Sequence, residues 1–82
     1  MKVWYGEYGV HKIRIENRIS DATLYIDDII ADVDSSLVSC KLFGELPSGE
    51  RVIATIGQGL TGMKCKVVVG NRTVPLVRKY EL

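Results

Sequence analysis

The residues of this sequence best suited to chemistry are its one histidine, His11, and its two cysteines, Cys40 and Cys65. A cysteine beside a histidine can act as an activated nucleophile, and the same three side chains can ligate a metal ion. Structural zinc usually takes four ligands, and a nucleophile needs an oxyanion hole that no motif here supplies. His11 shares the side of its strand with Ile13 and Ile15, and both cysteines fall on inward rows, so we expect all three in the core. We predict no metal, no cofactor and no catalytic residue, and the spacing leaves pairing of the cysteines open.

The segment from Gly57 to Gly62 matches the pattern G-x-G-x-x-G by letter. In a dinucleotide-binding fold, a helix follows these glycines and its N-terminus contacts the pyrophosphate. Residues 63–69 are rich in valine and indicate a strand instead. A kinase-type loop does lie between two strands, but it needs catalytic and metal-binding aspartates on a much longer chain. We therefore predict a glycine-rich connection between two strands.

Four aspartates lie close together in the sequence and raise the question of a cation or an acid–base pair. A helix–loop–helix calcium loop beginning at Asp32 would put Leu37 where glycine is required and Phe43 where the bidentate glutamate belongs. The calcium loop is therefore excluded, and paired carboxylates for hydrolysis would need a cleft. We expect a turn and a solvated strand edge that discourages edge pairing. The four residues are Asp27, Asp28, Asp32 and Asp34.

Aromatic and basic side chains supply the groups for binding a partner. Trp4, Tyr5 and Tyr8 could form an exposed anchor, although we expect Trp4 to cap the core. Small β-barrels bind single-stranded nucleic acid through aromatic platforms and basic grooves, but here the aromatic residues barely interleave with the basic ones. The predicted interaction surface consists of Trp4, Tyr5, Tyr8, Asp27, Asp28, Asp32, Asp34, Lys64 and Lys66.

Length and charge bound the function further. The 82 residues fit a single small domain, 1–82, with a hydrophobic fraction of 46% and a net charge of +1. A multi-site enzyme with a nucleotide-binding fold is too large, and a strongly electrostatic nucleic-acid binder needs a more basic surface. Residues 1–41 carry five Lys/Arg against seven Asp/Glu, whereas residues 42–82 carry six against three. These opposed charges could support self-association.

The elements that must position these residues are short β-strands. Val, Ile and Thr make up 22 of the 82 residues, and β-branched side chains favour a pleated sheet. Turns are predicted at Asp27-Asp28, Leu46–Glu50 and Gly70-Asn71, with Pro75 at a sheet edge or near the end of its strand. Alternation predicts strands over 11–17, 23–27, 29–33, 38–42, 51–56, 63–69 and 72–74. The predicted inward rows contain Ile13, Ile15, Leu24, Ile26, Val38, Cys40, Leu42, Val52, Ala54, Ile56, Met63, Cys65, Val67 and Val69. The fold class is all-β: a compact antiparallel β-sandwich of seven to eight short strands.

Several of these segments resemble the Fas apoptotic inhibitory molecule family. The matching pieces of this sequence are Val3-Trp4, the stretch Gly9–Ile13 (GVHKI), Glu16, Tyr25–Asp27, Lys41–Gly44 (KLFG) and Val69–Asn71. That family has a V-W segment, a G-V-H-K-I strand, a hairpin, a strand ending in V-D-G, a K-L-V-G stretch and a later turn. Here Asp28 stands where the family has glycine, and the turn over 46–50 is different and shorter. The chain is also similar to small β domains of uncharacterised bacterial proteins. The resemblance implies an eight-stranded β-sandwich without known enzymatic activity that acts through protein contacts.

Taken together, these features predict a non-catalytic protein-interaction module with a protein partner of unknown identity. The alternative is a small β-barrel that binds single-stranded nucleic acid. A third reading, an enzyme that uses His11 with a cysteine or a carboxylate, predicts a deep pocket. No signal-peptide pattern and no run of about 20 apolar residues occurs, so we expect a cytoplasmic protein without a membrane span.

Overall fold

The computed structural model describes residues 1–35, 39–60 and 62–80, and every regular element within them is a β-strand. In chain order the strands are β1 (Lys2–Tyr8), β2 (His11–Asn17), β3 (Ala22–Ile26), β4 (Ile29–Asp34), β5 (Cys40–Glu45), β6 (Arg51–Gly59), β7 (Gly62–Val69), β8 (Arg72–Val74) and β9 (Val77–Tyr80). One sheet has the order β4-β3-β2-β1-β9 and the other β5-β6-β7-β8. The described residues contain no helix long and apolar enough to cross a membrane.

The predicted antiparallel all-β architecture is confirmed, but the described residues form nine strands instead of seven or eight. The additional strands are β1 and β9, which pair with each other from Lys2↔Tyr80 to Tyr5↔Val77. Neither shows a clean alternation of apolar and polar residues, because β1 contains Gly6 and β9 is a short, charged strand that follows Pro75. Their position in the sheet therefore depends on pairing that a local pattern does not reveal.

The core lies between the two sheets and follows the predicted alternation. The inward side chains of the five-stranded sheet, such as Ile15 and Leu24, are fully buried against those of the four-stranded sheet, such as Leu42 and Ile56. Met63 and Cys65 are exceptions, since they are only partly buried at the margin of the core. The predicted inward position of Val38 lies outside the described residues. The inward residues that are buried are Ile13, Ile15, Leu24, Ile26, Cys40, Leu42, Val52, Ala54, Ile56, Val67 and Val69.

The turns predicted at 27–28, 46–50 and 70–71 form where the sequence predicts them. Asp27 and Asp28 both have positive φ angles, 52° and 65°, as a tight two-residue hairpin of the I′ type requires. Gly70 has a φ of 61° and opens the turn from β7 into β8. In the third turn the Gly49 amide donates to the Leu46 carbonyl over 2.8 Å. The Leu46 side chain is buried, so this turn is anchored in the core.

The glycine-rich connection predicted over 57–62 is wrong in extent. Strand β6 continues through Gly59, and β7 already begins at Gly62, which pairs with it. Only Leu60 and Thr61 separate the two strands, and Thr61 lies outside the described residues. The Lys64 side chain crosses Gly59 at a distance that would leave no room for a Cβ atom. These glycines therefore lie within strands, and Gly59 leaves space that the Lys64 side chain occupies.

Candidate functional site

Trp4, predicted as part of an exposed anchor, belongs to the core. Only 4% of its surface is exposed, because Trp4 faces the same side of the sheet as Ile15, its partner across β1 and β2. Trp4 is therefore removed from the candidate surface, and the expectation that it packs at the core is correct.

The cysteines are not free for chemistry at the surface: Cys40 is buried, and burial raises the pKa of the Cys65 thiol to about 12. No group of three potential metal-ligating residues occurs within the described ranges.

His11 is not a core residue, contrary to its position in the alternating pattern. Its Nδ1 lies 2.7 Å from Asp27 Oδ2, and 23% of its side chain is exposed. The other carboxylate oxygen of Asp27 accepts a hydrogen bond of 2.8 Å from the Lys12 amide. The hydrogen bond from His11, followed by that from Lys12, lowers the pKa of the Asp27 carboxyl. His11 and Asp27 therefore hold the β3–β4 turn against the start of β2.

Tyr8 connects the two halves of the sandwich at the same end of the molecule. Its hydroxyl donates a hydrogen bond of 2.8 Å to Glu50 Oε2, in the turn between β5 and β6. This hydrogen bond is the main cause of the raised pKa of Tyr8. Ser48 also donates to Glu50 through its hydroxyl, over 3.2 Å. The Tyr8 hydroxyl is therefore engaged within the chain, where it positions a turn.

Asp32 and Asp34 lie on the edge strand β4, and they also close one edge of the sandwich. Asp32 Oδ2 accepts a hydrogen bond of 2.9 Å from the Phe43 amide, and Asp34 Oδ2 accepts one of 3.1 Å from the Lys41 amide. Both amides belong to β5, the edge strand of the opposite sheet. The two carboxylates therefore stand in for a neighbouring strand and protect the edge of β5.

A β-bulge explains how the two aspartates reach β5. Leu24 pairs with Asp32 but Tyr25 pairs with Ile30, so Ala31 is an extra residue in β4. The bulge reverses the alternation, and Asp32 then shares the inner side of the sheet with Leu24. Ile30 remains on the outer side with Tyr25. The inserted residue thus directs the two carboxylates inward, while the tight turn at 27–28 already places Ile30 outward.

The outer face of the five-stranded sheet carries a row of large side chains across all its strands. In register order the row is Val77, Tyr5, Arg14, Tyr25 and Ile30. We call it the tyrosine–arginine row. Both ends are open to solvent, with Val77 61% and Ile30 58% exposed. Tyrosine and arginine are enriched among the residues that contribute most to protein–protein binding.

The central arginine of this row is held in place by its neighbours. The Arg14 guanidinium lies 4.1 Å from the centre of the Tyr25 ring and donates a 2.8 Å hydrogen bond to Asp28 Oδ1. Its Nε is 3.2 Å from Glu16 Oε2, a charge contact without hydrogen-bond alignment. These contacts fix the rotamer of Arg14, which reduces the entropy that a binding partner would have to restrict.

A groove of about 480 Å³ runs beside the tyrosine–arginine row. Strand β9 pairs with β1 only as far as Tyr5, so Gly6 and Glu7 have no partner strand on that side. Tyr5 and Val77 line one part of the groove, and charged side chains line another. The charged lining residues are Glu7, Lys12, Arg14 and Asp28. The groove therefore offers apolar contact and paired charges side by side.

The outer face of the four-stranded sheet has a different character. Lys41, Thr55 and Lys66 form one row across β5, β6 and β7, and Lys64 lies opposite Gly57 in the next row. The adjacent row on the other side is apolar: Phe43, Ile53 and Val68. We call these two rows and Lys64 the lysine face.

The predicted interaction residues thus separate into several places in the fold. Tyr5 and Asp28 lie at the tyrosine–arginine row, and Lys64 and Lys66 lie on the lysine face. No pattern in the sequence assigned a site to Arg14, Tyr25, Ile30 or Val77. The outward positions of Arg14 and Tyr25 could be read from alternation, but that of Val77 could not, because β9 shows no clean alternation. The strand order and register that align the row could not be read from the sequence either.

Comparisons of the chain with protein-family models, with curated proteins and with solved structures found no match. The resemblance to the Fas apoptotic inhibitory molecule family therefore stays an expectation, and it assigns no role to a residue of either face.

Proposed function

We propose that this domain is a non-catalytic protein-interaction module whose binding surface is the tyrosine–arginine row. The observation that supports this is the alignment of Val77, Tyr5, Arg14, Tyr25 and Ile30 on one face of one sheet. The outer face of an antiparallel sheet normally alternates to polar residues. Here the row instead combines aromatic rings, an ordered arginine and two exposed aliphatic side chains.

The geometry suits a protein partner better than a small molecule. A flat row of five side chains crosses a sheet, and strands in such a sheet are about 4.8 Å apart, so the row extends for roughly 20 Å. A partner that is itself a protein can cover such a row, whereas small molecules favour concave pockets that bury most of their surface. The neighbouring groove could receive one side chain of the partner.

The proposal is tested with variants that change exposed side chains and leave the buried contacts intact. Ile30→Ser and Val77→Ser remove the two ends of the tyrosine–arginine row, and Val10→Ser is the matched control. Val10 is an equally aliphatic residue, 89% exposed, in the turn between β1 and β2. The immobilised full chain and each variant are used to retain proteins from a lysate, and each retained protein is then purified and titrated.

We expect a saturable protein partner whose affinity falls at least about tenfold in the double variant, since a buried valine or isoleucine side chain is worth about 1.5 to 3 kcal/mol. The Val10→Ser control should bind unchanged. Equal binding by the double variant would show that the partner uses another surface. Retention of no protein, together with saturable binding of a small metabolite, would overturn the proposed module. The cytoplasmic location and the identity of the partner stay predictions.

A further inference from the structure

The lysine face carries positive charge that this chain does not neutralise. Lys41, Lys64 and Lys66 are exposed, and none of their ammonium groups forms an ion pair within the part of the chain that the structure describes. Lys41 and Lys66 are two strands apart, roughly 10 Å, and Lys64 is about 7 Å further along β7 from Lys66. At physiological ionic strength the Debye length is about 8 Å, so repulsion acts mainly between Lys64 and Lys66, and the pair of Lys41 and Lys66 is largely screened. An anionic partner would relieve it.

The aspartates of the same chain are already engaged elsewhere. Asp27 accepts hydrogen bonds from His11 and from the Lys12 amide. Asp28 accepts one from Arg14, and Asp32 accepts one from the Phe43 amide. A second copy of this chain could offer these carboxylates to the lysine face only by giving up contacts that hold its own strands. The lysine face therefore fits a foreign acidic partner better than a second copy.

The shape of the lysine face favours an extended segment that lies along β6. At Thr55 and Gly57 this central strand carries shorter side chains than the lysines of its neighbours. Thr55 lies between Lys41 and Lys66 in the register of the sheet. A Cβ atom added to Gly57 would meet no atom within 4 Å. Three successive positions along β6 thus differ in character: the first is apolar, the second lies between two lysines, and the third is open space beside Lys64.

Extended peptides match this spacing. Alternate side chains of a β-strand lie about 6.8 Å apart on one side, which is also the separation of successive rows on the lysine face. An apolar side chain over Ile53 contacts Phe43 and Val68. An acidic side chain two positions further then lies between two lysines, and another acidic side chain lies beside the third.

We propose that the lysine face binds an extended acidic protein segment with an apolar residue followed by acidic residues at the second and fourth positions. This is a second binding surface, on the sheet opposite the tyrosine–arginine row, and does not depend on the partner of that row. A single-stranded nucleic acid suits the face less well. Such ligands stack on several aromatic rings, and Phe43 is the one aromatic residue of the lysine face.

The test uses a fluorescein-labelled serine-based peptide with one leucine and with glutamates at the second and fourth positions after it. Fluorescence anisotropy at low and physiological salt measures its affinity for the full chain. Two further peptides replace both glutamates by glutamine or the leucine by serine. An oligothymidine of equal length reports on nucleic acid. Lys12→Gln, on the opposite sheet, is the control for a general loss of one positive charge.

We expect saturable binding of the glutamate peptide that weakens with salt, and weaker binding of both altered peptides. Lys66→Gln should reduce the affinity two- to fivefold, as is typical of an exposed ion pair, and Lys12→Gln should not. Replacing Lys41, Lys64 and Lys66 together by glutamine should reduce it at least about tenfold. Gly57→Val should also weaken binding while leaving the fold intact, because the new side chain extends into open space and favours a strand.

Three results would overturn this proposal. The first is equal binding of the glutamate and glutamine peptides, and the second is unchanged affinity in the triple lysine variant. The third is tighter binding of the oligothymidine, lost in Phe43→Ala, which would assign the face to nucleic acid. The variant with Ile30→Ser and Val77→Ser should bind the peptide normally. Failure of this proposal can therefore be distinguished from failure of the protein-interaction module.

Discussion

Substituting alanine for Gly44 tests the close approach of the two sheets that brings β4 beside β5. A Cβ atom at this position would lie 2.7 Å from Ile26 Cδ1 and 3.2 Å from the Ala31 Cβ atom. Carbon atoms pack at about 3.5 to 4.0 Å, so at least one of these neighbours must move. The φ angle of Gly44 is not positive. The cost of Gly44→Ala should therefore arise from packing alone.

The size of the effect follows from which neighbours can move. Ile26 Cδ1 is the end of a side chain and can rotate away, whereas the Ala31 Cβ atom is attached directly to the backbone of β4. Overpacking of a well-packed core usually costs about 1 to 3 kcal/mol, and we expect about 2 kcal/mol for Gly44→Ala. For a domain of this size, that corresponds to a decrease in Tm of roughly 8 to 16 °C.

Urea unfolding followed by tryptophan fluorescence measures this loss, since Trp4 is the one tryptophan and is buried. A double-mutant cycle adds Ile26→Val, which removes the Cδ1 atom and should cost about 0.5 to 1.5 kcal/mol by itself. Because the same atom causes the clash, the double variant should lose about 1 kcal/mol less than the sum of the two single changes. Gly57→Ala is the control, where the added methyl meets open space.

The control should leave stability unchanged or raise it by up to about 1 kcal/mol, as glycine in a strand is otherwise unfavourable. If Gly44→Ala is as stable as Gly57→Ala, the sheets do not approach as closely as the structure shows. If the losses in the free energy of unfolding from Gly44→Ala and Ile26→Val are simply additive, the Ile26 side chain does not limit the space for a Cβ atom at position 44.

Three further predictions concern side chains at the edges of the sandwich. Asp32→Ala should lower the free energy of unfolding by about 1 kcal/mol in urea titrations, whereas Glu45→Ala, an equal change of charge at an exposed position, should not; equal losses would contradict the edge contact. The thiol of Cys65, with its pKa raised to about 12 by burial, should react slowly with a thiol reagent at pH 8 until urea is added, and rapid reaction in the folded state would refute its burial. Asp27 has a lowered pKa, mainly because of its hydrogen bond from His11, so its stabilising contribution should be present above pH 4 and decrease as the pH falls through the folded-state pKa. His11→Ala should reduce stability at neutral pH and flatten that acid-side decrease in urea titrations between pH 2 and 6; an unaltered pH profile would exclude the His11–Asp27 pair as its origin.

The positions of most strands could be predicted from the sequence, because burial on one face of a sheet imposes a period of two. Ile13 and Ile15 show this directly. The same rule fails for His11, which shares their side of β2 but lies at the end of the strand, where it pairs with Asp27. Alternation specifies which side of the sheet a residue faces, whereas burial also requires that residues of the opposite sheet pack against that position.

The candidate surfaces were less predictable, because each depends on residues from several strands. Tyr5 and Arg14 are neighbours only through the register of β1 and β2. Asp32 joins Leu24 on the inner side of the sheet only because of the bulge at Ala31. A bulge adds one residue and reverses the sides of all that follow. No local pattern of hydrophobic residues marks it here, so the sequence alone could not show which of the two sides the aspartates of β4 occupy.

The use of charge in this small domain connects its stability to its proposed binding. The acidic first half of the chain and the basic second half suggested complementary patches for self-association. Asp32 and Asp34 are instead directed toward β5, where inward-pointing carboxylates block the pairing of an exposed edge. Lys41 donates its backbone amide to Asp34, so its side chain is not needed for this contact and its ammonium group stays on the lysine face. The same contacts that stop the edge from pairing with another copy therefore leave a surplus of positive charge on the outer face, and this surplus favours association with an acidic partner over association of the chain with itself.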